Sequence, residues 1–331
     1  MMKSMKFGVQ LSARYYSPED WDVLKSTALY CEQLGYDSIW FGDHLITGSS
    51  RLECWTVLSA LSAITSKIRL GTLVLCNNWR NPALLAKMSA TLDVISQGRL
   101  ELGIGSGWNK DEHETYGYAF PEPRVRIGML REGLEIIKRM WTEDKPSYQG
   151  KYYKISNVVC EPKPVQKPHP PITIGGSGEQ LTLRAVAAYA DRWNGSGPPE
   201  EYKRRLDILQ KYCQRIRRDY TTIDKTYYSS MDIYNTEDEL LRAMKEIYQT
   251  GLDQRIQLQN LSFEEWLVAF RSRNMVGTPE ECLKKMRQLV DIGVTYYTFS
   301  IRAARKAPNL TERRKSLRLF AEGVINQIKS E

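Results

Sequence analysis

Eight times along the chain a short apolar run is followed by a longer run with helical character, and this alternation limits the possible folds most. The first apolar run is Lys6–Ser12; Pro18 then opens a helix that closes near Gly35, a glycine placed to end it. Ser38–Leu45, Arg69–Asn77 and Arg99–Gly107 follow as strands, separated by helices over 53–66 and from Pro82 to just before Gly98. A polar, aromatic excursion reaches Pro123, and a helix runs on to about Trp141. Residues 144–170, rich in Pro and Tyr, read as an inserted hairpin and loop. Pro171–Ser177, Asp191–Ser196, Thr226–Tyr234 and Val294–Ile301 complete eight strands. Their helices cover 178–190, a stretch opened by Pro198 and Pro199, 236–250, a stretch ending at Ile292, and 309–328. Thr278, Pro279 and Glu280 read as N-cap, N1 and N2 of the helix that reaches Ile292.

The first five strands are mostly apolar rather than strictly alternating, which suits strands covered on their outer face by helices. Eight such units predict an α/β fold, a closed parallel (β/α)8 TIM barrel, with an open doubly wound sheet as the alternative. No composition shift marks a linker, so residues 1–331 read as one domain. Insertions fall near 108–122, 144–170 and 253–277, the last with no assignable period.

Composition serves mainly to exclude. At 42% hydrophobic and 26% charged, the chain is an ordinary folded sequence rather than a disordered one. No apolar stretch approaches the ~18 residues of a membrane span, and no secretory signal is visible, so a cytoplasmic protein is expected. Six scattered cysteines without a CxxC read as free thiols in a reducing compartment. Only three histidines exist, so no metal site is expected. The net charge is 47 − 39 = +8. Residues 301–320 carry seven Lys/Arg against one acid, Glu312, and read as a solvated face or as a surface for an anionic ligand. No nucleic-acid motif accompanies them, so nucleic acid is not an expected partner.

In a barrel the reactive site lies where the strands end, on the C-terminal side. Those ends are rich in Gly, Asn and Trp, and glycine lets a ligand approach the backbone closely. His44 follows Asp43 at one of them; histidine gives or takes a proton near neutrality. Asp43 reads as a cap for the next helix or as a partner for a cofactor ring. Gly175-Gly176-Ser177-Gly178-Glu179 reads as an anion cradle or a plain turn. The stretch Gly103-Ile104-Gly105-Ser106-Gly107 lacks the third glycine of a dinucleotide fingerprint. Trp79, Trp108 and Trp193, with Trp40 and Tyr116, flank the same ends as core or as walls of an apolar pocket.

Three long stretches carry a family resemblance: FGDH at 41–44, RLELGIGSGWNKDEHETYGYAFP at 99–121, and YYKISNVVCEPKPVQKPHPPITIGGSGEQLTLRAVAAYADRWN at 152–194. With RLGTLVLCNNWRNP at 69–82, the sequence resembles the bacterial luciferase-like monooxygenase superfamily, most closely its coenzyme F420-dependent oxidoreductases. The resemblance is strong from Lys6 to about Asn194 and weak beyond. It implies a flavin-like ring bound at the barrel mouth, from coenzyme F420 or, as the alternative, FMN. It also implies a non-prolyl cis peptide at Leu73-Val74 that presses on the back of the ring. Asp43 would bond that ring, and Leu73, Val74 and Cys76 would touch it. Ser106 and Gly107, with Asp111 or Glu112, would line the cofactor. Gly175, Gly176, Gly178 and Glu179 would hold its phosphate and side chain. His44 would face the substrate as proton donor or acceptor, in a pocket with Trp79, Trp108 and Trp193.

The expected function is hydride transfer between F420 and a small organic substrate. The alternatives are an FMN-dependent monooxygenase using O2 and a flavin-binding protein without turnover. A homodimer is expected on resemblance, with no membrane partner. The basic residues that clamp phosphate in sugar-phosphate dehydrogenase relatives are not found in the second half of the chain, so a sugar-phosphate substrate is not supported.

Overall fold

A computed structural model of the chain describes residues 5–46, 50–249, 261–301 and 310–331. The first half contains β1 (Lys6–Leu11), α1 (Glu19–Gln33), β2 (Ser38–Phe41), α2 (Cys54–Ile64), β3 (Arg69–Thr72) and β4 (Leu75–Cys76). It continues through α3 (Pro82–Ile95), β5 (Leu100–Gly105), α4 (Lys110–Thr115), α5 (Pro123–Thr142), and a hairpin of β6 (Tyr148–Gln149) and β7 (Lys154–Ile155). The second half contains β8 (Ile172–Gly175), α6 (Thr182–Tyr189), β9 (Arg192–Ser196), α7 (Pro199–Arg215), β10 (Asp224–Ile233) and α8 (Glu237–Gln249). It ends with α9 (Phe263–Arg273), β11 (Met275–Gly277), α10 (Pro279–Asp291), β12 (Tyr296–Ile301), α11 (Leu310–Phe320) and α12 (Asn326–Ser330).

Eight parallel strands, β1-β2-β3-β5-β8-β9-β10-β12, form one sheet; pairing of β12 with β1 and of β9 with β10 closes it into a (β/α)8 barrel. These are the eight strands expected from the apolar runs. The run 69–77 is interrupted: a cis peptide at Leu73-Val74 divides it into β3 and β4. The termini of the helices follow local chemistry. Glu53 caps α2 by accepting from the amides of Trp55 and Thr56. Thr278 is the N-cap of α10 with Pro279 in its first turn, as the sequence predicted, and Thr278 with Glu281 forms a reciprocal capping box.

The floor of the barrel, at the strand N-termini, is filled. The Trp40 ring lies against Gly8 and Gly71; a Cβ on either would come within 2.4 and 2.2 Å of the indole. Beside it, Glu101 is fully buried between Arg69 and Arg192, and Arg192 Nε also donates to Asp224 at 3.1 Å. A buried carboxylate held by two guanidinium groups satisfies the rule that interior charge must be paired.

Two expectations are corrected. Residues 253–277, which show no assignable period, were expected to be an insertion. Residues 250–260 lie outside the described residues, but the remainder forms α9 and β11, and β11 extends the sheet alongside β10. Leu240, Met244, Trp266, Phe270 and Val276 bury one another in a small separate core. This core pairs α9 with α8 rather than with the barrel, so its apolar residues do not follow the pattern of the other units. Second, helix 178–190 begins four residues late, at Thr182. Residues 302–309 of the basic run also lie outside the described residues. Among the described residues, no helix is long and apolar enough to cross a membrane.

Candidate active site

The strands end around a cavity of about 300 Å³. Asp43, His44, Leu73, Val74, Cys76, Trp79, Ser106, Gly107, Trp108, Gly175 and Gly176 all line it. The geometry divides them into a wedge, a braced wall and a dyad.

The wedge is Val74. The Leu73 carbonyl accepts from Gln10 Nε2 at 3.2 Å, and Gln10 Oε1 accepts from the Tyr228 hydroxyl at 2.6 Å. The Val74 side chain faces Gly105 and Gly175, where a Cβ would lie 2.9 and 3.0 Å from its methyl groups. Those two glycines leave the space that Val74 uses.

The braced wall is built on Asp43, 5% exposed. Its Oδ2 accepts from the Cys76 amide at 2.9 Å, and Arg80 grips both oxygens at 2.7 and 3.0 Å. Arg80 also donates to Glu53 at 2.7 Å. Burial opposes the Arg80 charge, but hydrogen bonding and attraction from Asp43 and Glu53 hold its pKa above the usual arginine value. Burial also opposes ionisation of Glu53; hydrogen bonds from Thr56 and Trp55, with the Arg80 charge, prevail and hold its pKa low. Asp43 therefore fastens β4 to β2, in addition to lining the cavity.

The dyad is His44 and Glu112. His44 Nδ1 lies 2.9 Å from Glu112 Oε2. Glu112 is 1% exposed and also accepts from Asn109 Nδ2 at 3.0 Å and from the amides of Leu45 and Ile46 at 2.7 and 3.0 Å. Among the described residues every hydrogen-bond partner of this carboxylate is a donor, so Nδ1 of His44 carries its hydrogen toward Glu112 and Nε2 is the nitrogen left with a lone pair. Asn109, the N-cap of α4, orients the arrangement. The exposed Trp108 ring meets His44 edge to face at 5.8 Å.

Next along α4, His113 Nδ1 lies 2.7 Å from the Asn109 carbonyl, so that nitrogen is the donor. Its Nε2 sits 3.4 Å from Cys76 Sγ. Burial pushes the Cys76 thiol up to about 12. Cys76 is thus a neutral thiol, in position to donate to His113.

Four expected site residues lie elsewhere. Asp111 is exposed, and its neighbour Glu112 points inward; on a helix, adjacent residues face different ways. Gly178 and Glu179 are outside the cavity lining, because α6 starts only at Thr182; Glu179 pairs with Arg204 and faces away. Trp193 is fully buried, stacked on Tyr202 at 4.8 Å, with its indole N–H donating to the Gly176 carbonyl at 2.9 Å. It belongs to the core and supports the glycine turn from behind. Thr182 and Asn194 line the cavity there instead, and sequence reasoning missed them. It also missed Asn109 and His113. The spacing Asn109-x-x-Glu112 at a helix start was the available signal.

A closed parallel barrel with a glycine-walled cavity, a cis-peptide wedge and a histidine–carboxylate dyad at its C-terminal rim defines a class of barrel enzymes. The chain belongs to the luciferase-like monooxygenase family, whose profile matches residues 5–296. It is 42% identical over 168 residues to an uncharacterised protein of Mycobacterium tuberculosis H37Rv, a match covering 51% of this chain and 58% of that relative's length. It is 30% identical to an F420-dependent glucose-6-phosphate dehydrogenase of Microbacterium testaceum, over 89% of this chain and 91% of the relative. Its fold is similar to that of an F420-dependent tetrahydromethanopterin reductase from Methanopyrus kandleri, with TM-score 0.77, 20% identity and coverage of 98% and 99%. A monooxygenase from Streptomyces bottropensis is equally similar in fold, with TM-score 0.80, 23% identity and coverage of 98% and 99%.

Proposed function

We propose that this chain is an oxidoreductase that uses coenzyme F420 and acts on a small organic molecule. The observation that carries the reading is the His44–Glu112 dyad set at the rim of a cavity whose glycine wall would accept a flat ring. Trp79 Nε1 supports the fit: it is buried at the cavity wall and has no hydrogen-bond partner among the described residues. An acceptor atom on a bound ring would satisfy that N–H, whose isolation otherwise costs about 1–3 kcal/mol. The 30% identity to an F420-dependent dehydrogenase favours F420 over FMN.

F420, when bound, supplies or accepts the hydride at its deazaflavin ring. The protein's part is placement and proton handling. Val74, Gly105 and Gly175 would support the ring's back face, and Gly176, Thr182 and Asn194 would border its phosphate-bearing chain. His44 Nε2 would exchange the substrate proton, and Glu112 would stabilise the charged imidazole through Nδ1. Trp108 would cover the substrate on the solvent side.

Equilibrium binding of the purified apo-protein to F420 and, separately, to FMN tests the reading, with cofactor fluorescence as the readout. Micromolar or tighter F420 binding with weak FMN binding is expected. Tight FMN binding without F420 binding would overturn it and turn the search toward oxygen-dependent monooxygenation.

A further inference from the structure

The Val74 wedge is one residue held between two anchored ends. On the C-terminal side, Leu75 and Cys76 pair with Ile104 and Gly105 of β5, and the Cys76 amide donates to Asp43 at 2.9 Å. On the N-terminal side, the Leu73 amide donates to the Phe41 carbonyl at 2.7 Å. The Leu73 carbonyl belongs to the peptide that leads into Val74, and it accepts from Gln10 Nε2 at 3.2 Å. A peptide group is planar and turns as one piece. Whatever holds its oxygen therefore also sets where the next Cα lies and where the Val74 side chain points.

Gln10 is itself held. It lies on β1, in register with Ser300 of β12. Its Oε1 accepts from the Tyr228 hydroxyl of β10 at 2.6 Å, and the Tyr228 oxygen lies 3.0 Å from Ser300 Oγ. With the oxygen of the amide committed to a donor, its nitrogen faces Leu73. A chain of side chains thus runs from β10 past β12 and β1 to the wedge. Gln10, Tyr228 and Ser300 are not among the residues lining the cavity, so the wedge is the route by which they reach a ligand. The chain also passes the dyad. A Cβ on Gly42 would lie 3.3 Å from Gln10 Nε2, 3.5 Å from His44 Cδ2 and 3.8 Å from the Leu73 oxygen.

We propose that Gln10, oriented by Tyr228, is a positioning residue: its amide N–H fixes the peptide that carries Val74, and so fixes how the wedge meets a bound ring. The tie between Gln10 and the wedge is independent of the function proposed above; that the wedge bears on a ring rests on it. Binding sites of this kind need their groups held to within about 0.5 Å by such supporting hydrogen bonds.

The test uses Gln10→Glu, Gln10→Leu and Tyr228→Phe in the full chain. Glutamate keeps the size of the side chain and the acceptor for Tyr228 but offers Leu73 no donor; leucine removes both. Amide hydrogen exchange of the apo-protein is read over residues 73–76, with β5 as the internal control. Exchange at 73–76 is expected to be about fivefold or more faster in both Gln10 variants, with β5 unchanged. F420 and FMN are then titrated into each protein. Both Gln10 variants are expected to bind the ring that wild type binds about fivefold or more weakly, and Tyr228→Phe to lose less. Gln10→Leu combined with Tyr228→Phe should bind no more weakly than Gln10→Leu alone, because one bond acts through the other. A packing role would leave Gln10→Glu equal to wild type, and that result overturns the proposal. Unchanged exchange at 73–76 overturns it too, as does faster exchange with unchanged ring affinity. Exchange that rises equally in β5 would make Gln10 a general structural residue and likewise overturn it. Failure of wild type to bind either ring, with exchange at 73–76 raised in both Gln10 variants, would overturn the cofactor reading and leave Gln10 as the residue that holds the wedge.

Discussion

Glu112 accepts from His44, from Asn109 and from two backbone amides while almost wholly buried. Glutamine at this position keeps one acceptor and replaces the other with a donor, which must face another donor. Glu112→Gln is therefore expected to lose about 1–3 kcal/mol of stability, read as a lower denaturation midpoint. It should also slow turnover about 100-fold, because the imidazole loses its charged partner. His44→Ala should lower turnover by about 10²–10⁴ with F420 binding little changed. Unchanged turnover would remove the proton-transfer role. At this scale the place of His44 in the cavity was legible in the sequence, since it follows a strand at the C-terminal end of the barrel. The Asp111/Glu112 choice was not, because only the helix phase set by Asn109 decides which carboxylate turns inward.

The elements that carry these residues are short and depend on particular turns. Gly107 joins β5 to α4 with φ +76°, and a Cβ there would lie 2.7 Å from Cys76 Sγ and 3.0 Å from His113 Cε1. Gly107→Ala should destabilise by about 1–3 kcal/mol and loosen the Cys76–His113 contact. Thr278→Ala removes one half of the capping box on α10 and should cost about 1 kcal/mol with no effect on ligand binding, both measured on the purified variant. The N-cap Thr278 and the first-turn Pro279 were legible, since their chemistry is local; the part of Glu281 in the capping box was not read. The late start of α6 could not: three glycines close together permit a turn without fixing its length.

The closed barrel was legible because strand-like runs alternate with helical runs eight times, and the first five strands are mostly apolar, as burial on both faces requires. The α8–α9 pair was not, because its apolar residues answer to a separate core. All six cysteines are buried, and burial raises every thiol pKa, Cys76 and Cys282 to about 12. The native protein should therefore show no fast-reacting thiol toward a disulfide reagent at pH 8, and six after denaturation. The surface also bears on assembly. Helix α2 has no charged residue, and it exposes Ala60, Ala63 and Ile64 beside Leu84, Val94 and Ile95 of α3. The expected homodimer is predicted to form there, so Leu84→Glu should shift sedimentation from dimer to monomer. A dimer that survives this change would place the contact elsewhere.

With its floor filled by Trp40 and Glu101, the barrel is a well that opens on the C-terminal side of its strands. A ligand seated against Val74 and the glycine wall would lie below one seated beside His44 and the exposed Trp108. Traffic is then ordered by depth: the deeper guest arrives first and departs last. A compound lodged under Trp108 would act as a stopper, slowing release of any ring bound below it without touching that ring.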